Sequence, residues 1–252
     1  MIVIKDAGEL ARMRAAGRAT ARICDKVARS IWPGVTTRDI DAYAARLMAD
    51  MGVRSAFLGY RGYPGTICVS VNEEVVHGLP GDRRIRAGDI VSLDVGVIAD
   101  GFVGDMATTV AVGVGRADVL RLLATAEKAL YAGIDQARGG RRLGDVSHAV
   151  EKTALAGGFS VVRDFVGHGI GRQMHEDPQI PNFGRPGKGP QLRSGMTLAI
   201  EPMLNLGAAA VEVLDDGWTV VTRDRSPSAH FEHTVAVGDG GAEILTRLDG
   251  DV

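Results

Sequence analysis

The sequence predicts an α/β fold built from two related halves. Three observations predict it. Two stretches of helical periodicity are followed by short β-rich runs, and the same order then repeats. Thr109-Val-Ala-Val-Gly113 returns letter for letter as Thr234-Val-Ala-Val-Gly238. Arg86-Ala-Gly88 and Arg193-Ser-Gly195 each stand six residues ahead of an acid, Asp94 and Glu201, that ends an apolar strand-like run. Two echoes with similar offsets, agreeing with the helix order, point to duplicated half-domains that share one core.

The elements follow in order. A first helix starts at Asp6, where Glu9 three residues on completes a capping pair. Leu10, Met13, Ile23 and Val27 recur at helical spacing, and Pro33-Gly34 ends it. Thr37 caps a second helix with Ile40, Ala44, Leu47 and Met48 on one face, closed by Gly52. β-rich runs come next at Ile67–Val71, Ile90–Val97 and Thr108–Val112. Helical spacing resumes through Val119, Leu122, Leu123, Ala126, Leu130 and Ile134 until Gly139-Gly140. A fourth helix is expected over roughly Asp145 to Ala156, stopped by Gly157-Gly158. Strands and glycine-rich turns fill the remainder, and Arg185 to Gly189 reads as a loop.

Composition narrows the function classes. The chain has 252 residues, 45% hydrophobic and 24% charged, which is enough apolar content for a core and excludes general disorder. Lys+Arg total 29 against 31 Asp+Glu, so the basic excess of a general nucleic-acid binder is missing. Cys24 and Cys68 make no disulfide framework, and a reduced, cytoplasmic setting is expected. The apolar run Met1-Ile2-Val3-Ile4 is too short for a signal segment, and no run approaches the ~18 apolar residues of a membrane helix. A soluble, unexported chain with no membrane partner is therefore expected.

Carboxylates carry the first chemical signal. An ionised carboxylate in a buried strand costs several kcal/mol unless something compensates it. Asp94 has no Lys or Arg in the five residues after it, and Glu201 poses the same problem in the second half. Asp105 precedes Met106-Ala-Thr-Thr-Val, and Glu232 precedes the matching Thr-Val-Ala-Val-Gly run. Each half thus supplies two acids. Any one alone reads as a turn cap or surface ion pair; four in repeated strand contexts do not. If the halves pack face to face, the four negative charges converge and need cations, and two divalent metals would balance them.

Histidines add a second signal. His168 lies between glycines in Gly167-His-Gly-Ile-Gly171, which would let its ring approach another group closely, and His175 follows in His175-Glu-Asp-Pro. His77 ends a strand-like run at a turn in Val75-Val-His-Gly-Leu-Pro80, where an ordinary turn residue is an equal reading. His148 sits on a helix face without an evident role. His230 and His233 flank Glu232; in a strand His230 and Glu232 share one face and His233 points the other way, and both stay unassigned.

The stretches Cys68-Val-Ser-Val-Asn-Glu, Val76-His-Gly-Leu-Pro80, Asp94-Val-Gly, Gly167-His-Gly-Ile-Gly-Arg172, Ile200-Glu-Pro-Met203 and Phe231-Glu-His-Thr234 together make the chain resemble type I methionine aminopeptidases in their short bacterial form. The resemblance runs from Ile4 to about Leu248. It implies the pita-bread fold, with pseudo-two-fold halves (roughly 1–115 and 116–252) in one catalytic domain and a curved, mainly antiparallel sheet with helices on its outer face. It further implies five metal ligands, Asp94, Asp105, His168, Glu201 and Glu232. Of these, Asp105 and Glu232 bridge two divalent ions (Mn, Fe, Co or Zn), Asp94 chelates one, and His168 and Glu201 bind the other.

Other roles follow from the same resemblance. His175 stands near the scissile carbonyl and His77 near the substrate amine and leaving side, with Glu201 as proton shuttle. Tyr60, Tyr63, Cys68 and Trp218 wall the methionine pocket, with Phe57 beside them. Met174 departs from the usual phenylalanine, and its flexible thioether still suits such a pocket. The implied activity is removal of the N-terminal methionine of nascent polypeptides ahead of a small second residue, by a metal-bound hydroxide, in a cytoplasmic monomer that meets its substrate near the ribosome and binds no specific nucleic acid. Two alternatives stand beside it. One is an Xaa-Pro peptidase of the same fold, although residues 1 to 65 are too few for the extra domain those relatives carry. The other is a noncatalytic peptide- or RNA-binding relative, which should have lost ligands.

Overall fold

The computed structural model describes residues 1–248. Four helices open the two halves in pairs: α1 (Ala7–Arg29) and α2 (Thr37–Asp50), then α3 (Ala117–Ile134) and α4 (Leu143–Ala156). The Asp6 carboxylate accepts the Glu9 N–H at 2.8 Å while Glu9 Oε2 accepts the Asp6 N–H at 3.1 Å, the reciprocal cap expected from sequence. The second helix is capped one residue earlier than expected. Thr36 Oγ1 accepts the Asp39 N–H, and Asp39 returns the bond to the Thr36 backbone, so Thr37 is the first helical residue. α4 likewise starts at Leu143, because Asp145 takes the third helical position and accepts the Arg142 N–H at 2.9 Å.

A nine-stranded sheet runs through both halves, and each of its pairings is antiparallel. On the first-half side, Ile90–Ala99 pairs with Phe102–Ala111. On the second-half side, Glu232–Val237 pairs with Thr197–Ile200, which pairs with Val166–Gly169. The halves meet where Glu232 and His233 face Ala107 and Met106. The strand ending in the first Thr-Val-Ala-Val-Gly run begins at Phe102, six residues before the expected Thr108. Gly104 and Asp105 hid that start because neither favours a strand.

Strand alternation sorts the two faces of the sheet. Val91, Leu93, Val95 and Val97 point to α1 and α2, where they pack with Ile23, Val27, Ile40, Ala44, Leu47 and Met48. Leu198, Ile200, Val235 and Val237 do the same toward α3 and α4, with Leu122, Ala126, Leu130, Val146 and Val150. Each helix pair therefore covers its own apolar cluster on one continuous sheet. The alternate residues, Asp94, Asp105, Glu201 and Glu232, are left on the face the helices do not cover. Among the described residues no helix is long and apolar enough to cross a membrane, and both cysteines are free and buried.

Candidate metal centre

The two threonines of the repeated run hold the site together across the halves. Thr234 Oγ1 accepts the Asp105 N–H at 3.0 Å and donates to the Asp105 carbonyl at 2.8 Å. Thr109 Oγ1 makes the same pair of bonds with the backbone of His230, at 3.0 and 2.8 Å. The exact repeat in the sequence is thus a reciprocal clamp, one threonine from each half fixing the backbone of a residue in the other.

The glycines around His168 act differently from the sequence expectation. A Cβ on Gly167 would lie 2.4 Å from the Ala199 carbonyl oxygen, and one on Gly169 would lie 2.0 Å from that of Asp177. They let neighbouring strands close on the His168 strand, rather than freeing the ring itself. His168 Nδ1 donates to the Gly169 carbonyl at 2.9 Å. That fixes the tautomer and leaves the Nε2 lone pair facing Glu201 Oε1 at 3.5 Å and Asp105 Oδ2 at 3.9 Å. Burial pushes the ring pKa down to about 3, so it stands neutral, the state a metal ligand needs.

The acids are held against their ordinary chemistry. Asp105 and Glu232 are each 2% exposed. Burial, and then the neighbouring carboxylates, push both far above the carboxylate range. Burial raises Asp94 to about 7 and Glu201 to about 8. Buried polar atoms are almost always hydrogen-bonded. Among the described residues, four buried side-chain atoms are not: Asp94 Oδ1, Asp105 Oδ1, Glu232 Oε1 and His230 Nε2. All four belong to this site. Ligand atoms of Asp105, His168 and Glu232 lie within 4.8 Å of one another, and so do those of Glu201, His230 and Glu232. The two groups share Glu232, and the oxygens of Asp105, Glu201 and Glu232 with the His168 nitrogen are donors that fit divalent cations. Asp94 falls in neither group but lines the same cavity.

That cavity collects each residue given a site role in the sequence. Phe57, Tyr60, Tyr63, Cys68, His77, Asp94, Asp105, His168, Met174, His175, Glu201, Trp218 and Glu232 line it, joined by Arg61. Its volume of about 160 Å³ falls below the roughly 300–1,000 Å³ of drug-sized sites, which leaves room for one side chain rather than a peptide. The apolar wall is rigid: Tyr63 and Trp218 meet edge to face at 5.1 Å, and Tyr63 Oη donates to the Gly78 carbonyl at 2.9 Å. Burial raises the Cys68 thiol well above its usual value, so it stays a packing residue rather than a thiolate.

Two histidines flank the acids. The His175 and His168 ring centroids lie 4.3 Å apart. Next to His175, Glu176 is anchored by Lys5 Nζ at 2.5 Å in a buried ion pair. His77 has a φ of +60°, an uncommon conformation for a residue with a Cβ. It is packed edge-on against Phe165 at 5.7 Å, and burial lowers its pKa to about 4. His233 turns away from the acids, as strand alternation requires, and its Nδ1 lies 2.9 Å from Thr246 Oγ1. His148 stands on α4, outside the cavity. Sequence reasoning missed Arg61 and left His230 unassigned. Arg61 carried no signal, being a single basic residue in a loop. His230 is 1% exposed with Nε2 3.7 Å from Glu201 Oε2. Its signal was its place relative to the repeat: it stands as far ahead of Thr234 as Asp105 stands ahead of Thr109.

The profile of metallopeptidase family M24 matches residues 11–239. Methionine aminopeptidase 1 of Bacillus subtilis is 48% identical over 248 residues, 98% of this chain and 100% of its own length. Methionine aminopeptidase 1 of Mycobacterium tuberculosis is 47% identical over 250 residues, covering 96% of this chain and 94% of its own. The crystal structure of methionine aminopeptidase from Thermotoga maritima superposes with a TM-score of 0.96 at 48% identity, over 98% of this chain and 100% of that one. Prolidase from Pyrococcus furiosus superposes at 0.79 with 20% identity, over 98% of this chain and 66% of its own, and shares the fold alone.

Proposed function

The chain belongs to metallopeptidase family M24, and from that premise we propose that it removes the N-terminal methionine of nascent polypeptides whose second residue is small. The observation that carries this reading is the joining of two things in one cavity: a cluster of buried, unsatisfied carboxylates from both halves, and a one-side-chain apolar pocket beside it. Asp94, Asp105, His168, Glu201 and Glu232 would hold two divalent cations. When bound, such cations polarise the scissile carbonyl and activate water at neutral pH.

The chain's own residues do the rest. Tyr60, Tyr63, Phe57, Met174 and Trp218 enclose a linear thioether side chain, and Cys68 closes the wall. Soft sulfur against aromatic edges is a favourable contact. His175 donates a hydrogen bond to the carbonyl oxygen as it gains charge. His77 steadies the scissile nitrogen. Glu201 has an oxygen toward each of two imidazoles, and carries the proton from the attacking water to the leaving amine. A cavity with room for one side chain takes the methionine, and the free terminal amine, which an internal peptide lacks, would restrict cleavage to the first bond.

Cleavage of a Met-X-Ser peptide series by protein loaded with Mn²⁺ or Co²⁺ tests the proposal. Release of methionine should be fast for X = Gly, Ala or Ser and fall steeply for bulky X, with Xaa-Pro peptides left intact. Cleavage of Xaa-Pro peptides alone would overturn it.

A further inference from the structure

His230 is the one member of the unsatisfied set that is not a carboxylate. It ends the short strand Ser228–His230, opposite Met203 in register, and does not line the cavity. A buried core histidine would have both ring nitrogens satisfied or its edge against apolar groups. Here the Nε2 atom instead faces the outer oxygen of Glu201, at 3.7 Å. His168 faces the other Glu201 oxygen, so this carboxylate lies between two imidazoles.

The duplication explains why a polar side chain stands there. Thr109 and Thr234 occupy equivalent places in the repeat, and so do Asp105 and His230, each clamped by the other half's threonine. His230 thus occupies the second-half counterpart of a residue at the centre, on a backbone fixed as firmly. A carboxylate that binds a cation accepts hydrogen bonds and donates none, and ligating carboxylates are themselves held by outer partners.

We propose that His230 is a positioning residue of the centre, whose Nε2–H donates to the outer oxygen of Glu201 and holds that carboxylate for the cation and for proton transfer. This rests on the metal-centre reading above. His230→Leu removes the donor, whereas His230→Gln keeps an N–H in reach. Mn²⁺ affinity and stoichiometry by titration calorimetry, with melting of the metal-free proteins as a check on folding, separate the outcomes. The leucine variant should bind about 10- to 100-fold more weakly, the usual cost of losing an outer-shell partner, and the glutamine variant should recover most of the affinity.

Wild-type affinity in the leucine variant would overturn the proposal, and so would a glutamine variant as weak as leucine, which would mean the imidazole itself is required. Wild-type protein that binds no Mn²⁺ would instead sink the metal centre. Nitrogen NMR of the Zn²⁺-loaded wild type needs no variant: a proton on His230 Nε2 is expected, and a bare, metal-bound nitrogen would refute the assignment.

Discussion

Tyr60 Oη lies 2.9 Å from His175 Nδ1, and the two rings stack with centroids 5.5 Å apart. With the phenol donating to Nδ1, the proton resides on Nε2, the nitrogen left free to reach a substrate carbonyl. Tyr60→Phe should therefore lower kcat by releasing the tautomer, while leaving KM for a Met-Ala-Ser peptide nearly unchanged. The loss should be smaller than the roughly 10²–10³-fold expected for His175→Ala, which removes a transition-state donor outright. Steady-state kinetics of both variants check this; an effect confined to KM would make Tyr60 a pocket wall only.

Asp105→Asn replaces a buried carboxylate with an amide that cannot carry the charge a bridging ligand needs. Turnover should be abolished, and cation stoichiometry by elemental analysis should fall. The fold should persist, because Thr234 holds the Asp105 backbone rather than its side chain. Full metal content with full activity would remove Asp105 from the centre.

The buried acids predict how the cation-free protein responds to pH. Asp94 is pushed up to about 7 and Glu201 to about 8, both by burial, whereas their unfolded counterparts titrate near ~4. Between those limits the native state keeps protons that the unfolded chain has released, so stability falls as pH rises. Below about pH 6.5 the opposite trend competes, because the unfolded chain protonates histidines that burial holds neutral in the fold, His168 to about 3 and His77 to about 4. Above that the acids dominate, and the thiols of Cys24 and Cys68, which burial keeps protonated, act in the same direction toward pH 8. The melting temperature in chelator should drop from about pH 6.5 to 8, and saturating Mn²⁺ should flatten the curve. A chelated protein that gains stability across this window would contradict the burial of these acids.

Gly96 sits in register with Asp105, and a Cβ there would lie 2.5 Å from Phe57 Cε1 and 2.9 Å from Cζ. The ring lines the cavity, and a ring displaced into that cavity would narrow the proposed methionine pocket. Gly96→Ala should raise KM for methionyl peptides while leaving cation content intact. Unchanged KM would show that Phe57 moves the other way and does not shape the pocket.

Much of this was legible in the sequence because charges and glycines interrupt otherwise regular apolar runs. Asp94 and Glu201 stood out as acids within or at the end of strands, and the Asp6–Glu9 pair marked the start of α1, whose end at Arg29 falls four residues before the expected Pro33-Gly34. The start of the Phe102–Ala111 strand was hidden, because its β-propensity is weakest at Gly104, where α1 packs closely, and at Asp105, which faces the site. Thr36 and Thr37 are interchangeable as caps by residue type; only the bond to Asp39 separates them. His230 could be placed on the Glu232 face and at the repeat position of Asp105 from sequence, but only its burial without a partner for Nε2 makes it conspicuous. Arg61 reaches the cavity through a loop geometry, with φ of +50°, that no periodicity announces.

Anomalous diffraction from crystals grown with excess Mn²⁺ near pH 7.5 tests the central claim most directly. The account predicts peaks enclosed by Asp94, Asp105, His168, Glu201 and Glu232, with Asp105 and Glu232 shared between two ions. Density free of any anomalous scatterer among these five side chains, in protein that still releases methionine, would contradict it.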